Sequence, residues 1–64
     1  MKYQAILSND IILETDNFKN LYYNTRMMLR DEGRGFATLK NNHTGKIVAI
    51  MLYTSSKRMI VYHR

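Results

Sequence analysis

Between Thr15 and Gly33 the chain carries one apolar stripe with the period of an α-helix, and no other segment repeats it. Phe18, Leu21, Tyr22, Thr25, Met28 and Leu29 form the stripe. At 100° per residue they fall within an arc of about 120°, the width of a core-facing helix surface. Thr15-Asp16-Asn17 offers side-chain oxygens to the free N–H groups of a first turn, with Asp16 the best N-cap candidate. Gly33 supplies the left-handed conformation that closes a helix. The spacing therefore predicts one helix over 17–32. Asp31 and Glu32 fall in its last turn, where the helix dipole disfavours anions, and Arg30 and Arg34 flank them.

Everything outside that helix reads as short strands. Tyr3 to Leu7 and Ile11 to Leu13 are apolar runs around the polar cluster Ser8-Asn9-Asp10, which predicts a hairpin over 2–15. Phe36 to Asn41 is a further strand. Asn42-His43-Thr44-Gly45 reads as a turn, with Gly45 available for positive φ. Lys46 to Thr54 is rich in Ile, Val, Leu and Met. Ser55-Ser56-Lys57 turns the chain again before Met59 to His63. The order is ββαβββ with short connections. It predicts an α+β fold: a small antiparallel sheet with one helix packed on one face.

At 64 residues the chain forms a single small domain, residues 1–64. A domain of this size buries only ~60% of the surface its unfolded chain exposes, so the core is thin. There is no cysteine, hence no disulfide or thiolate metal site to reinforce it. The longest apolar run, Ile47 to Tyr53, is far too short to cross a bilayer. Met1-Lys2-Tyr3-Gln4 lacks a secretory pattern, so a soluble, cytoplasmic protein is expected, with no membrane partner. Without a secretory signal, the glycosylation match at Asn42-His43-Thr44 is read as chance.

Charge is distributed unevenly. The net charge is +5. Residues 1–32 hold four basic and five acidic side chains, and residues 33–64 hold six basic and none acidic. A half without acids points to an acidic partner, whether nucleic acid, an anionic membrane surface or an acidic protein, or else to a solvated basic surface.

The sheet can meet such a partner only on a face the helix leaves open. Ala37, Leu39, Val48, Ile50 and Leu52, being small or aliphatic, are expected beneath the helix. Phe36, Lys40, Met51 and Tyr53 are then expected on the open side, with either Tyr62 and Arg64 or Met59 and His63. Aromatic rings among cations suit single-stranded nucleic acid, with bases stacked on the rings and phosphates held by Lys and Arg. The candidate nucleic-acid contacts are Lys40, Lys46, Lys57, Arg58 and Arg64, with Phe36 and Tyr53 as stacking platforms. An apolar open face also suits a homodimer or a protein partner. On the helix, Lys19, Arg26 and Arg30 share a flank beside the core stripe, continued by Tyr23 and Met27. The candidate partner-binding residues are Tyr23, Met27, Arg26, Arg30 and Met51.

Catalytic signatures are sparse. His43 and His63, without cysteine, give no metal-ligand spacing, and Gly33-Arg34-Gly35 precedes a strand rather than a helix. No cofactor, metal or catalytic residue is assigned, and a non-enzymatic binding module is expected. "MIVYHR" resembles the final strand of RelE-type messenger-RNA-cleaving toxins, which place Arg, Tyr and His on a basic sheet. That resemblance implies an endoribonuclease using Tyr62, His63 and Arg64. The composition is similar in style to small proteins of AT-rich bacteriophage genomes, many of which bind and redirect host proteins. It implies a regulator or inhibitor as the alternative to a nucleic-acid binder.

Overall fold

The computed structural model describes residues 1–63. Its elements are β1 (Tyr3–Leu7), β2 (Ile12–Thr15), α1 (Phe18–Glu32), β3 (Gly35–Asn41), β4 (Ile47–Tyr53) and β5 (Met59–His63). The five strands form one antiparallel sheet in the order β2-β1-β3-β4-β5. The ββαβββ architecture expected from the sequence is thus the one observed, with α1 packed on one face.

Helix α1 is held at both ends by its sequence. Asn17, rather than Asp16, is the N-cap: its Oδ1 accepts from the backbone N–H of Lys19 at 3.0 Å and of Asn20 at 3.3 Å. The Asp16 carboxylate is engaged elsewhere, accepting the backbone N–H of Lys2 at 2.9 Å. Gly33 closes the helix at φ 88°, its N–H donating to the carbonyls of Leu29 and Arg30. Glu32, at the unfavourable end of the dipole, accepts a hydrogen bond from Asn9 Nδ2 at 3.2 Å.

The stripe packs as its spacing predicts. Leu21, Thr25 and Leu29 are buried, and Phe18, Tyr22 and Met28 are half-buried beside them. Below them lie Ala5 and Leu7 of β1, Ala37 and Leu39 of β3, and Ala49 and Met51 of β4. The three alanines are completely buried. Their small side chains let the helix approach the sheet closely. Tyr3 meets Phe18 edge-on, with ring centroids 5.3 Å apart, which fixes the start of the helix over β1. Close approach recurs at the other end. A Cβ on Gly35 would come within 2.8 Å of Ser8 Oγ, and the φ of 145° there suits only glycine.

The face assignment of β4 differs from the expectation. Ala37 pairs with Met51 and Leu39 with Ala49, so Ala49, Met51 and Tyr53 lie on the helix side. Ile50 and Leu52 lie on the open side. The cause is a β-bulge. The β3–β4 turn closes with the Asn41 N–H donating to the carbonyl of Lys46, and Lys40 pairs with Ile47. One extra residue, Val48, then enters β4 before Ala49 meets Leu39. A one-residue shift sends every later side chain to the opposite face.

Thr25 carries the one buried side-chain oxygen left without a partner among the described residues. A buried hydroxyl without a hydrogen bond costs roughly 1–3 kcal/mol, and valine has the same shape. Thr25→Val should therefore raise stability by about 1 kcal/mol, read as a higher denaturant midpoint at constant slope.

Candidate binding surfaces

The open face of the sheet is built from alternating residues of all five strands. Ile12, Ile6, Thr38, Ile50 and Tyr62 form one cross-strand row. Phe36, Leu52 and Ile60 form the next. In β1, β3 and β4 these residues alternate with buried ones, so they point away from the helix. Apart from Thr38, these two rows are apolar. Ile12, Phe36 and Tyr62 are the most exposed, at 53%, 51% and 58%. Ile50, Leu52 and Ile60 are half-buried between their neighbours. Among the described residues, its charged strand positions are Lys40, paired across from Gln4, and Glu14 on β2, which also pairs with Gln4.

The remaining expected nucleic-acid contacts are not gathered on this face. Lys46 lies in the β3–β4 turn, and Lys57 and Arg58 lie in the β4–β5 turn. The length of β4 separates the two turns by roughly 20 Å. Phe36 is on the open face as expected. Tyr53 is half-buried on the helix side, opposite Gly35 and Met59. Met51, expected as an exposed partner contact, is completely buried beneath α1. Arg64 lies outside the described residues.

On the helix side the sheet extends past the helix. Helix α1 lies over β1, β2, β3 and β4, and among the described residues its backbone stays farther from β5. Met59 and Val61, which pair with Tyr53 and Met51, therefore form a half-buried shelf beside the helix. Tyr23, Arg26, Met27 and Arg30 are all exposed. Met27, Arg30 and Asp31 meet Tyr53 and Lys57 around an open hollow of ≈ 480 Å³. Residues from two separate expected groups, the helix flank and the β4–β5 turn, are thereby brought together.

Tyr62 and His63 are neighbours in β5 and point to opposite faces. Tyr62 shares the open face with Ile50, and His63 pairs with Ala49 on the helix side. Strand alternation therefore sets the two side chains on opposite faces of the sheet. Among the described residues no three His, Asp or Glu side chains come together in a metal-binding group. No helix of the described residues is long and apolar enough to cross a membrane.

No family model, curated protein or solved structure matches this chain.

Ile6, Ile12, Ile50, Leu52 and Ile60 form this surface without being among the residues expected on it. For β1 and β2 the signal was present: Ile6 alternates with Ala5 and Leu7, and Ile12 with Leu13, giving apolar side chains on both faces of the hairpin. For β4 the missing information was the bulge at Leu39 and Lys40.

Proposed function

We propose that this chain is a non-enzymatic binding protein that docks its open sheet face on an acidic partner protein. The observation that carries the reading is the apolar band running from Ile12 through Ile6, Thr38 and Ile50 to Tyr62, with Phe36 beside it. Monomeric proteins rarely leave so continuous an apolar surface without a use for it. Protein interfaces have an apolar centre and a polar rim, with exposed aromatic residues often carrying most of the energy. Phe36 and Tyr62 fit the centre. Lys40 towards one end of the face and Arg58 in the turn at the other supply cations that suit acidic residues on the partner. A second copy of this chain fits less well, because two chains of net charge +5 would face each other. The composition, similar in style to bacteriophage proteins that redirect host proteins, makes a bacterial lysate the first source of partner.

A second reading, nucleic-acid binding, draws on the acid-free half and on two exposed aromatic rings sharing a face with Lys40. The readings differ in salt dependence. Phosphate contacts contribute about −0.7 to −0.9 each to the slope of log affinity against log salt, whereas an apolar centre is little affected.

The test compares wild type with a Phe36→Ala, Tyr62→Ala double variant that keeps its native circular dichroism. A stoichiometric acidic protein should be retained by the wild type after nuclease treatment and lost from the variant. Recovery abolished by nuclease would favour the nucleic-acid reading. Dimerisation of the wild type at micromolar concentration, abolished in the variant, would make a second copy the occupant.

A further inference from the structure

Three hairpins connect this sheet, and each places one residue at positive φ: Asp10 at 69°, Gly45 at 71° and Lys57 at 65°. Glycine adopts that conformation freely, and aspartate is among the side chains that tolerate it. Lysine has neither advantage. The β1–β2 and β4–β5 turns share one hydrogen-bond pattern. Leu7 N–H donates to Ile11 O and Asp10 N–H to Leu7 O, just as Thr54 N–H donates to Arg58 O and Lys57 N–H to Thr54 O. The second turn is further braced by Thr54. Its Oγ1 accepts from the Arg58 N–H at 3.3 Å and lies 2.8 Å from Ser56 Oγ. The surroundings thus hold Lys57 in a conformation in which glycine would be more stable. Strain of this kind concentrates at functional positions.

Lys57 lines the hollow shared with Met27, Arg30, Asp31 and Tyr53. We propose that this hollow is a carboxylate-binding site, in which Arg30 and Lys57 hold the anion and the Tyr53 hydroxyl donates to it. The charge balance selects the ligand. Arg30 and Lys57 carry two positive charges against the single negative charge of Asp31. One carboxylate brings the hollow to neutrality, whereas a phosphate dianion would leave it negative. Met27 and the methylene stem of Lys57 provide apolar walls for the rest of a glutamate or aspartate side chain. The inference rests on the reading of the partner as an acidic protein and adds a second anchor on the helix side.

The test uses the pure protein and a short end-blocked glutamate peptide, followed by amide NMR shifts, with inorganic phosphate at equal ionic strength as the comparison. Wild-type shifts should concentrate at Arg30, Tyr53 and Lys57. Lys57→Gly should raise Tm by about 4 °C as the strain is released, while weakening the peptide about fivefold. Arg30→Gln should weaken the peptide without the rise in Tm. The proposal is overturned by a lower Tm in Lys57→Gly, by unchanged peptide binding in both variants, by absent shifts in wild type, or by phosphate moving these residues where the peptide does not. None of these outcomes bears on Phe36 and Tyr62, so open-face docking stands or falls separately.

Discussion

Met51→Lys should yield no folded protein at 25 °C, whereas Ile50→Lys, one residue earlier, should retain native circular dichroism. Met51 is fully buried between α1 and the sheet, flanked across the strands by Ala37 and Val61. An ammonium group there would have no partner. An uncompensated buried charge costs about 3–5 kcal/mol, and loss of the methionine's burial adds about 1.5–3. A chain of this length has roughly 3–10 kcal/mol of stability in total. Ile50 faces the other way, half-buried between Thr38 and Tyr62. Lysine there can lift its charge into water while its stem covers the neighbours, at a cost of about 1 kcal/mol in cross-strand packing. Far-UV circular dichroism and thermal unfolding of the two variants decide the matter. The reverse outcome, with Met51→Lys folded and Ile50→Lys unfolded, would mean that the bulge at Val48 is absent and that the open face is built from Met51 and Tyr53.

That pair of residues also marks where the sequence stopped being informative. The helix was legible because its stripe, cap oxygens and terminal glycine agree. Leu21, Thr25 and Leu29 are buried as the spacing implies, and the cap moved by one residue because Asp16 binds the Lys2 N–H. The strands were legible from apolar runs separated by polar clusters. The faces of β4 were not, because Ile47 to Tyr53 is apolar on both sides and its alternation gives no preference. Without the bulge, the turn closed by Asn41 and Lys46 would have placed Val48, Ile50 and Leu52 under the helix. A hint was nonetheless present. Ala5, Ala37 and Ala49 are the small residues of the three central strands, and a closely packed helix favours small residues beneath it. The hollow at Lys57 was less legible still. It depends on the helix flank turning toward the β4–β5 turn, which no local pattern encodes.

Leu21→Ala should lower Tm by at least ~10 °C. Leu21 is 1% exposed, one turn before buried Thr25 and two before Leu29. Truncation of a buried leucine costs about 2–5 kcal/mol, the transfer term plus the cavity left behind. In a domain this small each kcal/mol shifts Tm by about 4–8 °C. The core has few large side chains to collapse into the gap, because three of its eight buried apolar residues are alanines. Met27→Ala, at a position 62% exposed, is the control and should change stability by less than ~0.5 kcal/mol. Guanidinium unfolding at constant slope gives both values. A large loss in Met27→Ala with none in Leu21→Ala would mean that α1 is rotated by about a third of a turn or more. Arg30 would then no longer stand beside Tyr53 and Lys57. The stability measurement therefore reaches the function as well: the helix rotation that buries Leu21 is the one that brings Arg30 to the hollow.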